Sequence, residues 1–94
     1  MPDVRDNPEQ HRFEIVADDG KVAGFVQYQR RGDGVIDLVH TEIDDAYEGQ
    51  GLGGKLARGT LDLVRSRGEH VVASCPFING WIEKHPDYED LVAR

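Results

Sequence analysis

The sequence predicts a protein of the α/β (α+β) class, with one mixed central sheet and the element order β-β-β-α-β-α. The chain has 94 residues, the length of a single domain, and 38% of them are hydrophobic, which is enough to form a core. Its apolar residues follow a period of two up to Ile43 and a period near 3.6 from Gly51 onward. These two periods predict strands in the first half of the chain and a helix in the second.

Three antiparallel strands are expected in the first half. Residues 1–10 contain two prolines and show no apolar period, so we expect a flexible N-terminal arm there and a single domain over residues 11–94. Residues 11–17 and 21–29 flank a turn sequence and are expected to form a hairpin, with residues 35–43 as the third strand. Strict alternation in the third strand places four side chains on one face, namely Ile36, Leu38, His40 and Glu42.

Two helices with a strand between them are expected in the second half. The first helix, residues 51–67, carries a broad apolar stripe that consists of Leu52, Leu56, Leu61, Leu63 and Val64. Residues 70–74 form a short apolar strand, which a right-handed crossover places parallel to the third strand. Pro76 begins the second helix and Pro86 ends it. In this helix Phe77/Trp81 and Ile78/Ile82 are i,i+4 pairs, and we expect Phe77 and Trp81 in the core.

A glycine-rich loop opens the first helix, where the sequence reads Glu48-Gly49-Gln50-Gly51-Leu52-Gly53-Gly54. A helix start without side chains exposes backbone N–H groups at the positive end of the helix dipole, which suits a pyrophosphate. Lys55 and Arg58 add positive charge there, although the whole chain has a formal charge of −7. The alternative is a turn without a function, but each glycine in a helical position costs about 1 kcal/mol relative to alanine. The loop therefore predicts a phosphate site.

Two common nucleotide-binding motifs do not explain this loop. Its spacing Gly49-x-Gly51-x-x-Gly54 matches the dinucleotide fingerprint, but that motif follows the first strand of a fold with further parallel strands downstream. Only 40 residues remain after Gly54. A Walker A loop requires Ser or Thr after its Gly-Lys pair, and here Leu56 follows Gly54-Lys55. Both classes of nucleotide-binding site are therefore excluded.

The composition argues against several kinds of partner. Acidic residues outnumber basic ones by 18 to 11, so we expect no nucleic-acid partner, and an acidic surface attracts amines or basic peptides instead. No stretch approaches the roughly 18 apolar residues of a membrane span, so no membrane partner is expected. Cys75, the single cysteine, cannot form an internal disulfide, which is typical of a reducing compartment. We therefore expect a cytoplasmic protein.

The loop resembles the acyl-CoA pyrophosphate loop of the GNAT acetyltransferases, whose pattern is Arg/Gln-x-x-Gly-x-Gly/Ala between a strand and a helix. Glu48 departs from that pattern, since the family usually has a basic or amide side chain there. Three further motifs occur in the order and spacing of the small single-domain GNAT-like acetyltransferases, namely His40-Thr41-Glu42, Cys75-Pro76-Phe77-Ile78 and His85-Pro86-Asp87-Tyr88. The resemblance covers about residues 11–92. It implies a minimal GNAT-like acyl-CoA N-acyltransferase fold, with CoA in a cleft between the two central strands.

The resemblance also implies how acetyl-CoA is bound. The pantetheine arm would lie along the strand that ends near Ile43, with Asn79 as a partner for its amides. Simple solvation of Asn79 is an equal alternative. The pyrophosphate would lie on the backbone amides of Gln50, Gly51, Leu52, Gly53, Gly54 and Lys55. No metal is implied.

Cys75 and His40 are the candidate catalytic residues. By the resemblance, the thioester would point to the strand end that holds Cys75, so this thiol could take the acetyl group. His40 could remove a proton from Cys75 or from the acceptor amine. The alternatives are a small buried cysteine and a hydrogen-bonded core histidine, while Glu42 either orients His40 or is solvated. Many GNAT enzymes have a tyrosine where Ile82 stands, so this departure favours either Cys75 chemistry or inefficient catalysis.

Two functions follow from these residues. The first is an N-acetyltransferase that moves the acetyl group of acetyl-CoA to an amine, on a small molecule such as a polyamine or on a lysine-bearing protein. The second is a CoA-binding or acyl-CoA-sensing module with little turnover, which the short chain favours because little of it is left to enclose an acceptor. Gly51 and Gly53 are required by both functions, whereas His40 and Cys75 are required only by the enzyme.

Overall fold

The computed structural model describes residues 2–93, which form five strands and two α-helices. In chain order the elements are β1 (Asp3–Asn7), β2 (Arg12–Val16), β3 (Val22–Gly32), β4 (Val35–Ile43), α1 (Leu52–Ser66), β5 (His70–Ala73) and α2 (Pro76–Lys84). Single 3-10 segments occur at Pro8–Gln10, Asp45–Tyr47 and Pro86–Leu91. The predicted fold class is confirmed, and the observed order has one more strand at its start.

The strands form one mixed sheet in the order β1-β2-β3-β4-β5. Neighbours from β1 to β4 are antiparallel, whereas β4 and β5 are parallel and pair from Val35–His70 to Leu38–Ala73. The chain passes from β4 to β5 through α1, as the predicted crossover requires. The glycine loop therefore lies where β4 leads into α1.

The flexible arm predicted for residues 1–10 is wrong, because Asp3–Asn7 form β1 and pair with β2. Val4 is the one apolar residue of β1, so the strand carries no alternating pattern that sequence reasoning detects. Asp6 takes the place of a second apolar side chain and accepts hydrogen bonds from the Tyr28 hydroxyl and the Arg67 guanidinium, each at 2.8 Å. Met1 lies outside the described residues.

Both helices pack on one face of the sheet. Helix α1 lies across β1, β2, β3 and β5, and α2 packs against β4, β5 and α1. The predicted stripe of α1 faces the sheet, since Leu52, Leu56, Leu61 and Val64 are buried and Leu63 is partly buried. In α2 the pair Ile78/Ile82 joins the same core. Within residues 2–93, neither helix covers the opposite face, which we call the helix-free face.

A bulge at Val39 changes which side chains of β4 face the core. The register with β3 passes from Tyr28–Leu38 directly to Gln27–His40 and skips Val39. The prediction that His40 and Glu42 share a face with Leu38 is therefore wrong, because one extra residue shifts the alternation. The helix-covered face of β4 carries Ile36, Leu38, Thr41 and Ile43, and the helix-free face carries Asp37, His40 and Glu42.

Gly59 allows α1 to approach β1 closely. A Cβ built on Gly59 would lie 2.4 Å from Val4 Cγ2, whereas a Cβ on Gly80 in α2 meets nothing within 4 Å. We expect Gly59→Ala to destabilise the fold by about 1–3 kcal/mol because β1 must shift. We expect Gly80→Ala to stabilise it by about 0.5–1 kcal/mol through helix propensity. Urea unfolding measures the free energy of unfolding of both variants. A Gly59→Ala protein more stable than the wild type would contradict the contact between β1 and α1.

Candidate functional site

The candidate site begins where β4 and β5 separate. Their pairing ends at Leu38–Ala73, and the Cys75 N–H then donates to the Leu38 carbonyl at 2.8 Å. Beyond this bond the chain turns into α2, while β4 continues for five more residues to Ile43. The second half of β4 therefore has an edge free of β5, and we call the region between that edge and the start of α2 the cleft.

The glycine loop presents an uncapped helix start. Gly51 is the N-cap of α1 with φ +72°, no side chain caps the helix, and its first turn has no acidic residue. Gly49 has φ +80°, so both positions adopt a conformation that favours glycine. The Lys55 N–H bonds the Gly51 carbonyl at 3.4 Å, whereas the amides of the preceding helical positions have no carbonyl within the helix to bond. These amides suit an anion.

Polar contacts hold the segment that leads into the loop. The Tyr47 hydroxyl donates to the Asp19 carboxylate in the turn between β2 and β3, which raises the pKa of Tyr47 and lowers that of Asp19. The Asp44 carboxylate accepts a hydrogen bond from the Ala46 N–H at 2.9 Å and caps the 3-10 segment. These contacts hold in place the segment that connects the end of β4 with the loop.

Two glycines of the loop have a second role, in helix packing. A Cβ on Gly53 would lie 3.2 Å from Phe77 Cζ, and a Cβ on Gly54 would lie 3.7 Å from Trp81 Nε1. Besides the phosphate role predicted for them, these glycines therefore have a packing role, because they let α2 approach α1. Phe77, expected in the core, is 44% exposed and lies at the loop. Phe77 thus connects the start of α2 with the start of α1.

Cys75 lies in this cleft as the N-cap of α2, which has no side-chain cap and begins with Pro76. Cys75 is 4% exposed as a residue, and its Sγ lies 3.3 Å from Thr41 Oγ1. Thr41 was not singled out from the sequence because strict alternation places it on the other face of β4. The bulge at Val39 brings it to the thiol, and a bulge leaves no clear signal in a single sequence.

His40 lies on the helix-free face instead of beside the thiol. Its Nε2 is 3.0 Å from Glu42 Oε2, and its ring centroid is 6.5 Å from that of Phe25. The side chains of His40 and Glu42 are 54% and 60% exposed, so His40 is not a core histidine. The structure thus pairs His40 with Glu42 and pairs Cys75 with Thr41.

The other predicted cofactor-binding residues occupy different places. Ile43 packs against the core at the end of β4, and Lys55 is exposed in α1 beside the loop. Asn79 faces away from the loop, into a groove that it shares with Glu89 and Val92. The structure therefore collects the loop amides and the end of β4 around the cleft. It places Lys55 in a groove between α1 and β1 and leaves Asn79 outside the cleft.

Other site types are not observed among residues 2–93. This part of the chain contains no group of three or more His, Cys, Asp or Glu side chains arranged to hold a metal ion. None of its helices combines the length and the apolar composition needed to cross a bilayer.

The chain is similar to known proteins over most of its length. Residues 12–91 match the family model described as GCN5-related N-acetyl-transferase. Protein NATD1 of Homo sapiens is 34% identical over 59 residues, which cover 63% of this chain and 52% of that protein. The chain thus spans about half the length of the first curated relatives that it matches. Protein NATD1 of Danio rerio is 25% identical over 91 residues, which cover 95% of this chain and 83% of that protein.

A solved structure has the same fold. The solution structure of a GCN5-like putative N-acetyltransferase from Staphylococcus aureus aligns with a TM-score of 0.70 and 25% identity, covering 97% of this chain and 87% of that one. The family match, which extends from β2 to the end of the 3-10 segment after α2, includes the loop, β4 and Cys75. The chain belongs to the GCN5-related N-acetyltransferase family.

Proposed function

We propose that this protein is an N-acetyltransferase that uses acetyl-CoA as donor and an amine as acceptor. The observation that carries the proposal is the start of α1, which has a glycine N-cap, no side-chain cap and no acidic residue in its first turn. Family membership supports acetyl transfer as the reaction class. The amine acceptor is a small molecule or a lysine-bearing protein, and the charge of −7 favours a cationic one.

The donor fits the cleft by charge and by shape. The pyrophosphate of CoA would accept hydrogen bonds from the loop amides between Gln50 and Lys55 at the positive end of α1. A Cβ on Gly51 would meet nothing within 4 Å, so the space beside this residue is open to a ligand. Phe77 offers an exposed ring at the same place. The pantetheine arm would follow the free edge of β4 toward Ile43 and Cys75.

Cys75 is proposed to take the acetyl group from CoA. Its sulfur would attack the thioester carbonyl carbon as a thiolate, forming a new carbon–sulfur bond while the bond to the CoA sulfur breaks and CoA leaves as a thiolate. Thr41 is the hydrogen-bonding neighbour of this thiol, and its hydroxyl as donor would stabilise the negative sulfur. An amine would then attack the acetyl-cysteine and release the thiolate, with His40 accepting the amine proton.

A CoA-binding module with little turnover is the second candidate function. The low exposure of Cys75, at 4%, favours it because an acetyl group must reach a buried sulfur. Ile82 favours it as well, since it is buried where many members of the family have a tyrosine that protonates the CoA thiolate. Both functions use the same donor site. Measured turnover and the formation of an acetyl-cysteine, which are expected only of the enzyme, distinguish them.

Incubation with acetyl-CoA is expected to add one acetyl group to Cys75. Intact mass and peptide mapping measure the adduct, and a polyamine or a lysine peptide should discharge it. Cys75→Ala should form no adduct while binding CoA as the wild type does, because its backbone N–H bond to Leu38 is kept. Thr41→Val, which preserves shape, should slow adduct formation without weakening CoA binding.

The other outcomes are equally informative. Acetyl transfer by Cys75→Ala at the wild-type rate would contradict the covalent route and leave direct transfer from CoA to the amine. CoA binding without adduct or transfer would favour the binding module. A protein that does not bind CoA would contradict both functions.

A further inference from the structure

The bulge in β4 determines which of three neighbouring residues face the helices. Thr41 faces the helices and contacts Cys75, whereas His40 and Glu42 face the helix-free side. Pairing with β5 ends at Leu38, so the edge of β4 beside these three residues is free of β5. This free edge is the route by which a group on the helix-free face would reach an acetyl group on Cys75.

The hydrogen bond between His40 and Glu42 determines which ring nitrogen is basic. Nε2 of His40 lies 3.0 Å from Oε2 of Glu42. An ionised carboxylate only accepts hydrogen bonds, so Nε2 must carry the hydrogen that is shared. In the neutral ring this leaves Nδ1 without a hydrogen, as the atom able to accept a proton.

The surroundings of the pair suit a cationic amine. A cavity of about 300 Å³ lies beside it, and its lining includes Phe25, Glu42 and Asp44. Arg12 also lines this cavity, but its guanidinium donates to Glu14 at 2.8 Å and lies over the Phe25 ring, 4.5 Å from the centroid. The two carboxylates of Glu42 and Asp44 attract an alkylammonium group.

We propose that Glu42 is a positioning residue that holds neutral His40 in its Nε2–H tautomer, so that Nδ1 accepts the proton of a cationic amine arriving from the helix-free face. This inference rests on the proposed acetyl transfer. The ammonium form of the amine first loses one proton to solvent. The free nitrogen then forms a bond to the acetyl carbon, the carbon–sulfur bond breaks with its electron pair going to sulfur, and the second proton from nitrogen goes to Nδ1. Glu42 contacts no reacting atom and acts through His40 alone.

The tautomer is measured first, without any substrate. Long-range ¹H–¹⁵N NMR at about pH 8, above the ordinary titration range of imidazole, should show His40 in the Nε2–H form, with His40→Gln used to assign its signals. Glu42→Ala should give a mixture of tautomers. Glu42→Gln should restore the wild-type form, because its amide oxygen accepts the same hydrogen bond. A wild-type ring protonated at Nδ1, or an unchanged spectrum in Glu42→Ala, would overturn the proposal.

Kinetics with acetyl-CoA and spermidine as the probe amine completes the test. Glu42→Ala should lower kcat about 10- to 100-fold, within the contribution of a positioned base, with the KM for acetyl-CoA unchanged. Glu42→Gln should recover most of kcat, and Glu83→Ala, which removes an exposed carboxylate of α2, should behave as the wild type. Wild-type transfer with an unaffected Glu42→Ala enzyme would overturn this inference alone. Absence of transfer by the wild type to spermidine or to a lysine peptide would overturn the proposed function itself.

Discussion

Gly51→Asp is expected to abolish measurable CoA binding. Gly51 is the N-cap of α1, so an Asp carboxylate there would lie beside the amides that are proposed to bind the pyrophosphate. A negative charge about 4 Å from a phosphate charge costs about 1–4 kcal/mol, depending on the local dielectric constant. The side chain would also occupy space that is open in the wild type. Isothermal titration calorimetry with CoA measures the loss.

Two control variants separate charge from backbone strain. Gly51→Asn places a neutral side chain of the same shape at φ +72°, so it has the same strain without the charge. Gly68→Asp places the same charge at φ +69°, just beyond the opposite end of α1 and in open space. We expect binding by Gly51→Asn to be weaker than wild type but measurable, and binding by Gly68→Asp to be unchanged. Equal affinities of Gly51→Asp and Gly51→Asn would refute the pyrophosphate site.

Glu14→Gln is expected to destabilise the fold by about 1–3 kcal/mol at neutral pH. Glu14 is 2% exposed although it lies on the helix-free face, because three side chains cover it. Its carboxylate accepts hydrogen bonds from Arg5 at 3.2 Å, Asn7 at 3.0 Å and Arg12 at 2.8 Å. The amide of Gln would place a hydrogen-bond donor against these donors. Two of these partners, Arg5 and Asn7, lie in β1 and join it to Glu14 in β2, so β1 is the element that should loosen.

The contribution of Glu14 depends on pH with a defined sign. Burial alone would raise the pKa of Glu14, but the hydrogen bonds from Asn7, Arg12 and Arg5 outweigh it and hold the pKa below 4.5. The unfolded chain therefore binds this proton more readily, so the contribution is fully present above pH 4.5 and is lost as the pH falls through the folded-state pKa.

Urea unfolding at several pH values tests this dependence. The free energy of unfolding should differ between wild type and Glu14→Gln at neutral pH, and the difference should shrink as the pH falls below 4.5. Glu83→Gln, which removes an exposed carboxylate of α2, should change little at any pH. A difference that is constant from neutral to acidic pH would show that the charge of Glu14 does not stabilise the fold.

The periodic parts of the fold could be predicted from the sequence. The strand predicted over 35–43 coincides with Val35–Ile43, and the predicted helix over 51–67 contains α1, because hydrophobic residues define a face in each. Strand β1 could not be predicted in this way. Its attachment depends on Glu14, on Asp6 and on the contact of Val4 with Gly59, all of which join residues that are distant in the sequence.

The candidate site was predictable in its composition but not in its pairing. The loop glycines, His40 and Cys75 stand out by residue type, and the structure places the loop and Cys75 beside one cleft. The contact between Thr41 and Cys75 depends on the bulge at Val39, and the alternation of residue types along β4 does not reveal this bulge. The exposed position of Phe77 depends on Gly53 in another helix, so helical periodicity alone misplaces it.

The bulge in β4 also has a consequence for inhibitors of the proposed reaction. It sets which of Thr41 and His40 faces the helices, so the proposed donor and the proposed acceptor would approach from opposite faces of the sheet. Because the pantetheine arm is proposed to follow the free edge of β4, donor-site and acceptor-site inhibitors would meet only at that edge. A bisubstrate compound would need a linker that bends around the free edge of β4 beyond Leu38, and a straight linker would be blocked by the strand.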